Sequence, residues 1–146
     1  MDSVQRLIDE RVHEYYWKHD YNCATTMLLI LAEICVIKLQ QQTLDAAIGM
    51  HGAGRYGAQC GLVEGALMFI GIYARQKQKT DERIEAECHS FADAFEKEFG
   101  SLLCKELRPE GFRPDNPPHL CEGLTKRAVR FALDYVISND NQTAGH

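Results

Sequence analysis

The sequence predicts an all-α fold, an irregular bundle of five or six helices. Apolar residues recur at helical spacing along the long segments, as Val4, Leu7, Ile8, Val12, Tyr15 and Tyr16 do near the start and Ile84, Cys88, Phe91, Ala92, Phe95 and Phe99 do past the middle. Residues suited to helix capping (Ser3, Asn22, Thr43, Thr80 and Ser101) stand just ahead of such segments. No stretch of useful length alternates apolar with polar residues, and no unit repeats. At 146 residues the chain is long enough for one domain with a core that needs neither disulfide nor metal. Residues 1–138 are assigned to that domain and 139–146 to a disordered tail.

Taken in order, Ser3 caps a first helix through about Lys18, a surface helix with one apolar side. His13 and His19, at or beyond its polar side, read as solvated. Tyr15, Tyr16 and Trp17 read as core and rim aromatics. Asn22 caps a second helix from Cys23 to about Gln40, apolar nearly all round and therefore central. Thr43 opens a brief helix over Leu44, Ala47 and Ile48. Seven of the eleven glycines then fall between Gly49 and Gly71, so the backbone there must visit positive φ or approach a neighbour closely. A fourth helix leaves this loop near Ala58 and reaches about Gln78. Its Gly61 and Gly65 share one face and are expected to admit the backbone of the helix starting at Cys23, since each glycine otherwise costs about 1 kcal/mol against alanine. Thr80 or Asp81 caps a fifth helix that Gly100 ends, and Ser101 caps a short helical turn through Leu107. The proline-rich stretch from Arg108 to Pro118 cannot be helical and is expected to be mobile and close to the cysteines. A last helix follows from His119 to about Ile137, with Leu120, Leu124, Ala128, Phe131 and Tyr135 on one face.

The formal charge of -5, with 16 scattered Lys and Arg, argues against a nucleic-acid partner. The greasiest runs, Met27–Leu39 and Leu62–Ala74, carry Glu33 and Glu64 and fall well short of the ~20 residues a membrane span needs. The amino terminus opens directly into a charged amphipathic pattern, so a cytoplasmic location is expected. In a reducing compartment six cysteines point to catalysis, redox activity or metal binding.

Cys23, Cys60, Cys104 and Cys121 each fall within the first turn of an expected helix. Unpaired backbone N–H groups and the positive end of the helix dipole favour thiolate there, so the four are candidate redox thiols or metal ligands and are expected to alkylate fastest. Cys35 and Cys88 lie mid-helix on apolar faces and read as small hydrophobes. No CxxC pair and no CxxCH occurs, so any site must be assembled from distant segments. Gly57, Gly61 and His51 are the candidate cofactor-binding positions, with His51 a ligand or proton donor beside Cys60. Glu64, one turn beyond Cys60, is a base or a satisfied polar contact.

Tyr21-Asn22-Cys23-Ala24, the glycine loop ending Cys60-Gly61-Leu62-Val63-Glu64-Gly65-Ala66, the Phe99-to-Cys104 segment and Cys121 together resemble the C_GCAxxG_C_C family of redox-active proteins over about Val12 to Tyr135. The resemblance implies a small helical protein whose signature cysteines correspond to Cys23, Cys60, Cys104 and Cys121. A related helical arrangement occurs in split-Soret cytochromes, which are dimers with an iron–sulfur centre. This chain has Gln59-Cys60-Gly61 where the family name has Gly-Cys-Ala, and it lacks a haem-attachment sequence. The first reading is a redox or metal-binding protein whose four cysteines converge as an iron–sulfur site or as a dithiol/disulfide system, with an electron donor or acceptor and a second copy as partners. A non-catalytic dimerising helical protein and a structural zinc protein are the alternatives.

Overall fold

The computed structural model describes residues 2–108 and 111–142. Among them are seven α-helices and no strand: α1 (Ser3–Trp17), α2 (Cys23–Cys35), α3 (Gln41–Ala46), α4 (Gly61–Gln76), α5 (Asp81–Phe99), α6 (Cys104–Leu107) and α7 (Glu122–Gln142). The all-α expectation holds. The count exceeds the expected five or six because the pieces α3 and α6 fold as separate short helices beside five long ones. At 52–55 the chain makes a turn with Ala53 and Gly54 in the left-handed region.

Local chemistry sets the boundaries and moves several from their expected places. Asp2, not Ser3, caps α1, its carboxylate accepting from Gln5 N at 2.7 Å. Asn22 caps α2 as expected, accepting from Thr25 N at 2.8 Å. The helix stops at Cys35 instead of Gln40, because Val36 turns left-handed at φ 57° and Ile37 N–H reaches back to Ala32 O at 2.9 Å. That closure satisfies carbonyls that would otherwise call for another turn. Helix α3 starts at Gln41 without a side-chain cap, ahead of the expected Thr43. Thr80 and left-handed Gly100 bound α5 as read. Helix α7 runs on to Gln142, and residues 143–146, the end of the tail expected to be disordered, lie outside the described residues.

Helix α4 begins at Gly61 rather than Ala58 for a reason no local pattern shows. Residues 58–60 are diverted into a two-rung pairing with 102–104: Cys60 N–H donates to Leu102 O at 2.8 Å and Cys104 N–H to Ala58 O at 2.7 Å. Gln59 and Leu103 face each other across this isolated bridge.

Helix α2 lies at the centre, burying Ala24, Met27, Leu28, Ile30 and Leu31. Tyr16, Val12 and Ile8 of α1, Phe69 of α4, Phe91 and Phe95 of α5, and Leu133 of α7 complete the core around it. Glycine sets the α2–α4 contact. A Cβ on Gly61 would stand 2.9 Å from Cys23 Cβ, and one on Gly65 would stand 2.6 Å from Ala24 O. The expected close approach is thus present, against the first turn of α2. None of the helices in the described residues is long and apolar enough to cross a membrane.

Gly71 provides the contrast, since a Cβ there would meet nothing within 4 Å. Gly65→Ala should destabilise the fold by about 1–2 kcal/mol net, backbone overlap outweighing the helix-propensity gain. Gly71→Ala should stabilise it by up to about 1 kcal/mol. Urea unfolding of the two variants checks this, and equal midpoints would mean that the crossing is slack.

Candidate functional site

Cys23 is the first residue of α2, directly after the Asn22 cap. Cys121 ends a 3-10 turn, Pro118–Cys121, that leads into α7. It therefore precedes the last helix instead of lying within it, Pro118 supplying the φ that starts the turn. The two thiols interact side chain to side chain, although ninety-seven residues separate them in sequence. Cys60 is the residue before α4 and Cys104 the first of α6. The 58–60/102–104 pairing ties their two segments together. Cys60 lies within electrostatic reach of Cys23 and Cys104, and Cys121 within reach of Cys60. All four are buried free thiols, whereas Cys35 and Cys88 are half-buried and stand apart. Cys88, for example, contacts Leu67 O at 3.9 Å on the α4–α5 side.

The four thiols are not equivalent. Cys23 is lowered to about 7, first by its hydrogen bond with Cys121, then, against the opposing effect of burial, by a hydrogen bond from Tyr16, the charge of Arg108 and its own backbone N–H. Tyr16 Oη also lies 2.6 Å from Thr125 Oγ1. Tyr16 also bonds to the Cys23 sulfur, so a buried chain runs from Thr125 of α7 through Tyr16 of α1 to Cys23 of α2. Cys121 is pushed strongly up, by the same hydrogen bond with Cys23 and then by burial. Cys60 is also pushed strongly up, chiefly by burial and the neighbouring Cys23; backbone N–H groups of Leu62 and Val63 offset this only in part. Position at a helix start is thus not enough to fix the charge of these thiols, because it lowers a thiol only where donors outweigh lost solvation.

A family model covers the segments that carry these cysteines. The family model described as "Putative redox-active protein (C_GCAxxG_C_C)" matches residues 21–135. The chain belongs to this family. No curated protein and no solved structure matches it. The C_GCAxxG_C_C pattern thus spans the segments that carry all four clustered thiols, including the departure at Gln59-Cys60-Gly61.

Within this member of the C_GCAxxG_C_C family the other candidate positions make contacts of their own. His51 lines a small pocket together with Cys23, its ring near the Asn22 amide at 3.1 Å. Burial, Arg55 and Arg108 lower its pKa, so it is neutral at pH 7. A Cβ on Gly57 (φ 92°) would meet the Phe112 ring at 3.0 Å, so its open face is filled by packing. Gly61 serves the crossing with α2. Glu64 accepts from Gln59 Nε2, a satisfied polar contact and not a base on Cys60. Arg108, Asn116 and Pro118 line the Cys23 pocket, so the proline-rich segment lies at the cysteine site as expected; its Pro109 and Glu110 lie outside the described residues.

Sequence reasoning missed Arg108, Tyr16 and Thr125. Arg108 had a faint signal, a cation four residues after Cys104, and its Nε reaches Cys104 Sγ at 3.5 Å. Tyr16 and Thr125 had none, being 109 residues apart. An iron–sulfur or zinc centre would need three or four donors around one point. Among the described residues no group of three or more His, Cys, Asp or Glu side chains stands so as to hold a metal ion.

Iodoacetamide should modify Cys23 with a midpoint near pH 7, the rate falling as pH drops and the thiol protonates. Tyr16→Phe should raise that midpoint by about one to two units, the worth of one hydrogen bond to a charged group. Peptide mapping by mass reads each site; labelling of Cys60 or Cys121 as fast as Cys23 at pH 7 would remove the ranking.

Proposed function

We propose that the protein is a dithiol/disulfide redox protein in which Cys23 is the attacking thiolate and Cys121 the resolving thiol. The observation that carries this reading is the direct interaction of the two thiols, one lowered to about 7 and the other held protonated. An attacking thiol works best with a pKa near the ambient pH, where thiolate population and nucleophilicity are balanced. Cys23 is in that range.

In the first step the Cys23 thiolate attacks one sulfur of a substrate disulfide. A Cys23–substrate S–S bond forms, the substrate S–S bond breaks, and half of the substrate leaves as thiolate. Cys23 is then neutral, so the anion that held Cys121 protonated is gone. Cys121 loses its proton to the departing thiolate or to water and attacks the Cys23 sulfur, releasing the second half as thiolate. Two electrons have passed from the dithiol to the substrate. An external dithiol then reduces the Cys23–Cys121 disulfide, becoming a disulfide itself, and returns the pair to its starting state. The burial of Cys60 and its raised pKa suit a supporting thiol, not the first nucleophile.

Treating the reduced protein with bis(2-hydroxyethyl) disulfide should yield one Cys23–Cys121 disulfide by peptide mapping. Cys121→Ser should stop at a mixed disulfide on Cys23, and Cys23→Ser should slow oxidation at least tenfold, roughly the loss expected when a pKa near 7 is replaced by ordinary thiols. A product linking Cys60 to Cys104, or undiminished oxidation of Cys23→Ser, would sink the assignment.

A further inference from the structure

The small pocket over Cys23 places two guanidinium groups, Arg55 and Arg108, at the approach to the sulfur. Arg108 directs Nε to Cys104 Sγ, while its Nη1 is buried and has no hydrogen-bond partner among the described residues. A guanidinium N–H enclosed without an acceptor is a donor waiting for an anion, because its desolvation is otherwise uncompensated. Arg55 is exposed, lies at φ 69° and donates from Nε to His51 Nε2 at 3.3 Å. Neutral His51 thus orients Arg55 without adding charge. Asn116 adds an amide to the lining, and Asp20 is the one carboxylate among the described lining residues; no ion pair joins it to either arginine.

We infer that the substrates of this site are disulfides bearing a carboxylate or comparable anionic group near the sulfur, which Arg108 and Arg55 bind as Cys23 attacks. The inference rests on the dithiol reading and names its substrate class. Charge at the pocket favours it most at the moment of reaction. Before attack the Cys23 thiolate and Asp20 balance the two arginines; once Cys23 has bonded to the substrate sulfur its charge is gone and one positive charge is left over, next to the bound anion. The protein as a whole carries -5, so long-range attraction works against an anionic substrate and any preference must come from these local groups.

The test compares three symmetric disulfides: dianionic 3,3′-dithiodipropionate, neutral bis(2-hydroxyethyl) disulfide and dicationic cystamine. Each rate is divided by that of the same probe with free 2-mercaptoethanol to remove intrinsic reactivity. The full chain should prefer the dianion over the neutral probe by about tenfold, the effect of one well-placed ion pair, with cystamine slowest. Arg108→Gln should slow all three probes through the higher Cys23 pKa and also abolish the preference; only the ratio between probes reports anion binding. Arg55→Gln should reduce the ratio, and Arg108→Lys should retain part of it. A ratio of one or less in the unaltered protein, or an unchanged ratio in the Arg55→Gln, Arg108→Gln double variant, overturns the anion site while leaving the dithiol reading intact. Failure of all three probes to oxidise Cys23 and Cys121 overturns that reading and this one with it.

Discussion

Gly61 and Gly65 let the first turn of α2 rest on α4 at a separation that no side chain permits, with Ala24 O 2.6 Å from where a Cβ of Gly65 would lie. That contact decides where two of the thiols go. Cys23 opens α2 and Cys60 immediately precedes Gly61, so a crossing centred on this pair of glycines brings both sulfurs to one end of the bundle. The remaining two are brought in by different means. The backbone pairing of 58–60 with 102–104 carries Cys104 to Cys60, and the Pro118 turn delivers Cys121 onto Cys23. Close packing comes first, and the chemistry is assembled on it.

The same dependence explains why the helix class was legible and the site only partly so. Stripes such as Phe91-Phe95-Phe99 announce a buried helix face, and Asn22 and Thr80 cap where capping chemistry says they should. Gly61 and Gly65 could be read as a close crossing because glycine four apart in a helix has few other uses. The start of α4 was misplaced because residues 58–60 are claimed by hydrogen bonds to a segment more than forty residues away. The end of α2 was misplaced because Val36, a β-branched residue, takes a left-handed conformation that its type disfavours. A tertiary pairing overrode local preference at α4, and the local Ile37 N–H to Ala32 O closure did so at the end of α2.

For the cysteines, position at a helix start was a correct guide to location and a poor guide to charge. Cys60 and Cys23 both stand at helix N-termini, yet one is pushed up and the other down. The difference lies in side chains that sequence distance concealed. Cys23 receives hydrogen bonds from Cys121 and from Tyr16, the latter backed by Thr125, and has Arg108 nearby; Cys60 has only backbone donors against burial on all sides.

A buried cluster of four thiols can hold one negative charge far more easily than two. At an effective dielectric of ~20, two thiolates about 4 Å apart repel by about 4 kcal/mol, equivalent to about three pKa units. Once Tyr16, Arg108 and the start of α2 have stabilised the anion on Cys23, that anion itself raises Cys60 and Cys121. Inequality among the thiols therefore follows from packing them together, and it imposes an order on the chemistry. On the proposed dithiol reading Cys23 attacks first, and Cys121 becomes ready when Cys23 gives up its charge to an S–S bond.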